Sequence, residues 1–87
     1  MTVKCIGTFV GHGGSVSSVR SYSDYFISGS MDGTIKFWDA TTKFDCVKTL
    51  NAHVGGVRLM SEKNDVLYSI GDIDKKIMVA KSTLTKT

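Results

Sequence analysis

The chain has 87 residues, of which 41% are hydrophobic and 22% charged, and its formal net charge is +3. This length allows one small domain at most, and the composition excludes a disordered segment. No apolar run approaches the roughly 20 residues of a membrane span, and the residues from Met1 to Gly7 lack the apolar stretch of a signal peptide. The sequence therefore predicts a soluble cytoplasmic chain, with the nucleus as the alternative, that makes no membrane contact.

The positive charge is mild and is carried mostly by lysine, which supplies nine of the eleven basic residues. Nucleic-acid binding favours arginine clustered with stacking aromatic residues, and lysine lacks the forked geometry of the guanidinium group. The lysines near the C-terminus are better interpreted as a solvated edge. A nucleic-acid partner is therefore not expected.

Turn signals divide the chain into apolar runs of strand length, which are too short for ordinary helices. In the first half the predicted strands are Val3–Phe9, Val16–Ser21, Tyr25–Ser30 and Thr34–Asp39. In the second half they are Asp45–Leu50, Val57–Met60, Val66–Ile70 and Ile77–Ala80. Val16 and Val19 break the strict alternation of a strand, which predicts a β-bulge.

Short polar dipeptides mark the turns between these runs. Asp32-Gly33 lies between two runs and predicts a type I′ hairpin, which needs positive φ at both central residues. Ser23-Asp24 and Asn64-Asp65 are weaker turn signals at equivalent places.

The chain repeats itself with a period of about 41 residues. A shift of 41 pairs identical residues, among them Cys5/Cys46, Thr8/Thr49, His12/His53, Gly14/Gly55, Val16/Val57 and Ser28/Ser69. One inserted residue near Gly71 changes the shift to 42, which then pairs Asp32/Asp74 and Ile35/Ile77. Four strands per unit at this period are the signature of a β-propeller blade.

The motifs in the first unit are specific. Gly11-His12, followed by the run from Ser28 to Trp38-Asp39, resembles a WD-repeat, because it carries both the Gly-His and the Trp-Asp dipeptides that mark this family. The resemblance covers essentially the whole chain as two repeats. The second repeat is degenerate, since Ala52 replaces the glycine of Gly-His, Lys75 replaces the turn glycine, and Ala80-Lys81 replaces Trp-Asp.

The resemblance implies a structural role for a constellation that could be taken for a Ser/His/Asp hydrolytic triad. In WD-repeats the matching histidine, serine, aspartate and tryptophan form a hydrogen-bonded tetrad, here His12, Ser28, Asp32 and Trp38. No Gly-x-Ser-x-Gly elbow accompanies these residues. In the second repeat His53, Ser69 and Asp74 remain, with Asp72 as a rival for the aspartate, and the loss of the tryptophan predicts a looser blade.

Other chemistries find little support in the residues. The pairs Cys5/His12 and Cys46/His53 lack the tight spacing of a structural zinc site, so the cysteines are expected to be buried, unpaired thiols. Gly11-His12-Gly13-Gly14 lacks the Gly-Lys-Ser/Thr ending of a phosphate-binding loop. Asp72-Ile73-Asp74 has too few ligands around it for calcium. No metal or cofactor is expected.

Propellers close with about four to eight blades, so two repeats form an incomplete propeller. In the family, the first strand of a repeat is the outermost strand of the preceding blade, which implies that Val3–Phe9 belongs to a blade outside this chain. The sequence thus predicts an all-β fold of two four-stranded antiparallel WD-repeat blades, of which the second lacks its outer strand. Residues 1–50 form the first repeat and residues 51–87 the second.

Two explanations of the open ends remain. The chain is a portion of a longer propeller, which the degenerate second repeat favours because neighbouring blades share stabilisation. Alternatively, copies of the chain associate head to tail, and three or four of them close the ring. The partners are accordingly the remaining blades or further copies of the chain itself.

The resemblance also implies a function, that of a non-catalytic platform which binds peptides or proteins on its rim. The positions that match the family's usual top-face contacts are Ser15, Ser17 and Met31 in the first repeat and Gly56, Arg58 and Ile73 in the second. Arg58 is the most informative, since a guanidinium can fork to a carboxylate or phosphate. The alternative is the substrate-targeting tail of a larger enzyme, a kinase or a ubiquitin ligase.

Overall fold

The computed structural model describes residues 1–22, 25–39, 45–64 and 66–81. These residues form seven strands: β1 (Val16–Tyr22), β2 (Tyr25–Ser30), β3 (Thr34–Asp39), β4 (Cys46–Asn51), β5 (Val57–Lys63), β6 (Val66–Gly71) and β7 (Ile77–Lys81). The first four make an antiparallel sheet in the order β1-β2-β3-β4, called sheet 1, and the last three make sheet 2 in the order β5-β6-β7. The described residues include no helix that could cross a membrane.

The all-β prediction is confirmed, and the fold is an open, incomplete propeller. β2 and β3 have the predicted bounds, and the other five strands differ from prediction by one to three residues at an end. The predicted turn Ser23-Asp24 and residue Asp65 lie outside the described residues.

No strand forms over the predicted segment Val3–Phe9, which the sequence assigned to a blade outside this chain. A β-strand needs a neighbouring strand to accept its backbone hydrogen bonds. Both described sheets are built from other residues, and the side chains of this segment are exposed apart from the half-buried Phe9.

The hairpin between β2 and β3 also differs from its predicted type. The Gly33 N–H donates to the Ser30 carbonyl at 3.1 Å, and Gly33 has φ +88° whereas Asp32 does not have positive φ. The loop is therefore a three-residue hairpin loop that ends in a left-handed glycine, and not a type I′ turn with two positive φ angles.

The predicted bulge is present, and it occurs in both repeats. The pairing of β1 with β2 skips Ser17, and the pairing of β5 with β6 skips Arg58. A bulged residue leaves the ladder and its side chain is re-aimed. The Ser17 hydroxyl uses this freedom to reach the Val57 carbonyl of sheet 2 at 2.5 Å, besides the Gly29 carbonyl at 3.0 Å.

The core lies between the two sheets. Ile27 and Ile35 of sheet 1 pack with Val57, Met60 and Leu67 of sheet 2, and all five side chains are buried. Partly buried residues surround this cluster, namely Phe37, Leu50, Ala52, Met78 and Ala80. Burying an aliphatic side chain contributes about 1.5–3 kcal/mol, so this contact holds the sheets face to face.

A backbone junction fixes how the sheets meet. The Gly33 carbonyl accepts the N–H groups of Ala52 and His53 at 3.0 and 3.1 Å. A Cβ atom on Gly33 would overlap with the His53 carbonyl oxygen. Only glycine combines the left-handed backbone with this close approach, so the turn of sheet 1 is anchored directly at the entrance to sheet 2.

Lys75 occupies the position of sheet 2 that corresponds to Gly33, and it has φ +58°. A side chain in the left-handed region costs about 1–2 kcal/mol, which glycine does not incur. Lys75→Gly is therefore expected to raise the free energy of unfolding by about 1 kcal/mol, measured by urea denaturation at a fixed protein concentration.

Lys76→Gly is the matched control, because Lys76 has no positive φ. This change is expected to leave stability unchanged or to lower it by roughly 0.5–1 kcal/mol. A Lys75→Gly chain no more stable than the parent would contradict the strain assigned to this turn.

Candidate functional site: two histidine networks and a rim patch

The first network joins the N-terminal segment to sheet 1. His12 Nε2 lies 2.6 Å from Ser28 Oγ, and Trp38 Nε1 donates to the same oxygen at 2.7 Å. His12 Nδ1 lies 3.4 Å from Asp32 Oδ2 and 3.2 Å from Thr34 Oγ1. The arrangement pairs the polar atoms of a buried serine and tryptophan, as buried polar groups require.

The second network has the same geometry without the tryptophan. His53 Nε2 lies 2.8 Å from Ser69 Oγ, and His53 Nδ1 lies 3.0 Å from Asp74 Oδ2. The structure thus brings Asp74, and not its rival Asp72, to the histidine. His53 and Ser69 are buried, and Ala80 packs at the edge of the core where the first repeat has Trp38.

Hydrogen bonds keep both aspartates ionised. Partial burial raises the pKa of Asp32, but donors from Thr34, Gly13 and His12 outweigh it and hold this pKa well below its ordinary value. Burial likewise raises the pKa of Asp74, but hydrogen bonds from the Lys76 N–H, His53 and the Val54 N–H lower this pKa by more. Hydrogen bonds to the charged form favour that form, so each carboxylate serves as an acceptor at neutral pH.

This geometry suits a structural network better than a nucleophile. Ser28 is only 5% exposed, and its oxygen already accepts the Trp38 N–H. A nucleophilic hydroxyl must reach a substrate carbonyl, whereas the Ser28 hydroxyl is buried and in contact with both His12 and Trp38. We propose that His12, Ser28, Asp32 and Trp38 stabilise the folded chain. The Ser28→Ala variant described below tests this role.

The cysteines differ from prediction, because Cys5 and Cys46 are exposed, free thiols. Cys46 lies on β4, the outer strand of sheet 1, and Cys5 lies on the N-terminal segment, which forms no strand. Neither position faces the core between the sheets. No group of three or more His, Cys, Asp or Glu residues in the described part of the chain could hold a metal ion.

Aromatic stacking adds an element that the sequence reasoning missed. The ring of Phe9 stacks on Trp38 with centroids 5.2 Å apart, and it lies 5.8 Å from the ring of Phe26. The signal was present, since the repeat pairs Phe9 with Leu50, a residue at the edge of the core. The N-terminal segment therefore packs on sheet 1 although it forms no strand.

Two of the predicted rim residues make contacts within the fold. The exposed Ser17 has its hydroxyl engaged at the junction between the sheets. Gly56 is buried, with φ +141°, and a Cβ there would lie 3.1 Å from Met31 Cε. Their partner-binding role stays a prediction. Ser15 is exposed, and its carbonyl accepts the Met31 N–H at 2.9 Å.

We define the rim patch as Met31, Gly55, Gly56, Arg58 and Ile73, which are four predicted rim residues and the adjacent Gly55. Met31 is 41% exposed and Ile73 is 65% exposed. They contact consecutive glycines, since a Cβ on Gly55 would lie 2.7 Å from Ile73 Cδ1 and one on Gly56 would meet Met31. Arg58 follows at the bulge of β5, exposed and without a hydrogen bond or ion pair among the described residues. The patch combines apolar surface with a cation that has no partner within the part of the chain that the structure describes.

The comparison with protein families identifies the fold's class. Residues 3–39 match the family model "WD domain, G-beta repeat". Together with the blade topology and the histidine networks, this match places the chain in the WD-repeat family.

Curated relatives agree with this assignment. The chain is 38% identical over 81 residues to the nuclear distribution protein PAC1-2 of Uncinocarpus reesii, which covers 79% of this chain and 17% of that protein. It is 46% identical over 57 residues to the nuclear distribution protein nudF 1 of Talaromyces marneffei, which covers 63% of this chain and 12% of that protein. It is also 38% identical over 56 residues to a p21-activated protein kinase-interacting protein 1-like protein of Danio rerio, which covers 63% of this chain and 15% of that protein. The chain thus spans less than a fifth of each relative.

Solved structures share the fold. The computationally designed Ika4 protein has a TM-score of 0.77 at 23% identity, over 90% of this chain and 48% of that chain. The designed Ika8 protein has a TM-score of 0.70 at 26% identity, over 83% of this chain and 22% of that chain. In both, the two-sheet unit is one part of a longer chain.

The two networks generate a stability prediction. Ser28→Ala leaves both the Trp38 N–H and His12 Nε2 without their partner, whereas Ser69→Ala leaves only His53 Nε2. Each orphaned buried group costs about 1–3 kcal/mol. Ser28→Ala is therefore expected to lower the free energy of unfolding by about 1–2 kcal/mol more than Ser69→Ala, measured by urea denaturation.

The control is Ser61→Ala, which removes an exposed hydroxyl from β5 and is expected to change stability by less than about 0.5 kcal/mol. Equal costs for Ser28→Ala and Ser69→Ala would show that the Trp38 bond contributes nothing to stability.

Proposed function

We propose that this chain is a non-catalytic protein-interaction scaffold, a two-repeat portion of a WD-repeat propeller that binds peptides or proteins through its rim patch. Membership of the WD-repeat family supports the scaffold role. A relative whose name describes it as interacting with a protein kinase supports a protein as the class of partner. On this proposal the chain acts in the cytoplasm or the nucleus and needs no cofactor.

The observation that carries the proposal is the composition of the rim patch. Exposed Met31 and Ile73 flank the Gly55-Gly56 dipeptide, and Met31 offers a flexible, polarisable contact surface. Of these two glycines Gly55 is exposed, and it brings the backbone itself to the surface between them. A short peptide side chain of apolar character fits such a surface, because burying it removes apolar area from water on both partners.

Arg58 gives the patch its selectivity. Its guanidinium has no acidic partner among the described residues, so its charge is available to a ligand. Guanidinium groups bind carboxylates through two parallel hydrogen bonds. The preferred ligand is therefore a peptide with an apolar side chain next to an acidic residue.

The test uses peptides selected from a random-peptide display library on the immobilised chain, with affinities measured by fluorescence anisotropy. Arg58→Ala is expected to weaken the selected acidic peptides about tenfold or more, since charge-assisted hydrogen bonds contribute about 1.5–3 kcal/mol. Met31→Ala is expected to weaken them as well.

Lys63→Ala is the matched control. Lys63 is an exposed cation at the other end of β5, so its removal changes the net charge equally without touching the rim patch. Selected peptides whose affinity falls equally with Arg58→Ala and Lys63→Ala, or with neither, would contradict the proposal.

A further inference from the structure

The loop between β6 and β7 carries one residue that the loop between β2 and β3 lacks, and hydrogen bonds show where it lies. Asp32 Oδ1 accepts the Thr34 N–H at 2.8 Å, and Asp74 Oδ1 accepts the Lys76 N–H at 3.0 Å. Each aspartate thus holds the residue two positions later in the same way. The two loops match from these aspartates onward, so the extra residue precedes Asp74.

A second pair of bonds matches the loops at their beginning. The Met31 N–H donates to the Ser15 carbonyl at 2.9 Å, and the Asp72 N–H donates to the Gly56 carbonyl at 3.0 Å. The shift of 41 residues pairs Ser15 with Gly56. Asp72 therefore takes the place in sheet 2 that Met31 has in sheet 1, and Ile73 is the inserted residue.

The inserted Ile73 lies across the backbone of the rim. A Cβ atom on Gly55 would lie 2.7 Å from Ile73 Cδ1 and 2.9 Å from Ile73 Cβ, so a residue with a side chain would displace the isoleucine from this position. The other side of Ile73 is open to water, since the residue is 65% exposed. The insertion thus adds apolar surface to the rim patch directly beside Asp72.

Asp72 brings a negative charge to the edge of the rim patch. Its side chain is exposed and makes no hydrogen bond or ion pair with any described residue, while its N–H fixes its backbone to Gly56. Arg58, the cation of the patch, lies two residues from the same glycine, at the bulge of β5. No ion pair joins Asp72 to Arg58 in the described part of the chain. Two opposite charges, both available to a ligand, therefore adjoin one glycine.

This arrangement of charges selects among peptides. Opposite charges that meet across an interface favour binding, and like charges that meet oppose it. A peptide that carries only acidic residues is attracted by Arg58 and repelled by Asp72, and a peptide that carries only basic residues meets the reverse. Repulsion of the wrong partner contributes to specificity as much as attraction of the right one. A peptide with one charge of each sign is attracted by both residues.

We propose that Asp72 is a specificity-determining residue of the rim patch, and that the peptide bound there carries a basic residue as well as an acidic one. The basic residue pairs with Asp72, the acidic residue pairs with Arg58, and an apolar side chain contacts Met31 and Ile73. This inference rests on the proposed function, because it names the second charged residue that a rim ligand carries.

The test uses peptides selected from a random-peptide display library on the immobilised 87-residue chain. The selected peptides are expected to carry lysine or arginine at a constant spacing from an aspartate or glutamate. Each is compared with a version in which the basic residue is replaced by glutamate, and affinities are measured by fluorescence anisotropy. The glutamate version is expected to bind the parent chain about threefold or more weakly, because repulsion replaces an exposed ion pair.

Two variants of Asp72 assign this preference to its carboxylate. Asp72→Asn is expected to weaken the selected peptides about two- to fivefold, since it removes the charge but keeps the size of the side chain. Asp72→Lys is expected to reverse the order, so that the glutamate version binds more tightly than the selected peptide. A general disturbance of the loop would weaken both peptides, and only a charge contact with Asp72 reverses their order.

Glu62→Gln is the matched control. Glu62 is an exposed acidic residue at the end of β5 away from the rim patch, so this change alters the net charge as Asp72→Asn does. It is expected to leave the ratio of the two affinities unchanged. An equal loss of affinity with Asp72→Asn and Glu62→Gln would overturn the inference, because net charge alone would then explain the effect.

The outcomes separate this inference from the proposed function. Selected peptides that lose affinity with Arg58→Ala, but keep their affinity with Asp72→Asn and their order with Asp72→Lys, would overturn the role of Asp72 and leave the proposed function in place. Selected peptides that respond to neither residue would overturn both.

Discussion

The junction between Gly33 and His53 is the contact on which the rest of the structure depends. The Gly33 carbonyl receives the N–H groups of Ala52 and His53, and the missing Cβ of Gly33 lets the His53 carbonyl approach. From this point the His53 ring reaches Ser69 and Asp74 of sheet 2. The β2–β3 turn of sheet 1 is therefore linked through a few hydrogen bonds to the interior of sheet 2. The apolar core between the two sheets adds to this link.

The same logic explains why a degenerate repeat still folds. Sheet 2 has lost the tryptophan and the turn glycine, and Lys75 carries a left-handed backbone in place of Gly33. What it retains is the His53, Ser69 and Asp74 network together with the apolar residues that meet sheet 1. In a repeat protein, stability is close to a sum of what each unit and each interface contributes. The apolar interface with sheet 1 therefore offsets the loss of stability from the missing tryptophan and from the left-handed Lys75, which is about 1–3 kcal/mol for each.

Apolar runs and turn signals predicted the strands, a break in strict alternation predicted the bulge, and the resemblance to WD-repeats implied the members of both networks; all of these follow from local patterns in the sequence. The errors came from non-local effects. Val3–Phe9 has strand-like sequence but no neighbouring strand, and the exposure of Cys46 follows from its position on an outer strand. The Asp32-Gly33 turn has a longer loop than the dipeptide rule assumes, because Ser30 closes it. The burial of Gly56 depends on Met31 from the other repeat, a contact that spacing alone cannot reveal.

Amide hydrogen exchange followed by NMR tests the central claim most directly, that the junction makes the two sheets one cooperative unit. If the two sheets form one cooperative unit, the Ala52 and His53 amides exchange as slowly as the amide of Ile27 in sheet 1, because all three then open only in global unfolding. The Lys4 amide, which lies outside both sheets, provides the fast reference. Exchange of Ala52 and His53 at the rate of Lys4, while Ile27 stays protected, would show that the sheets open independently and would contradict the account.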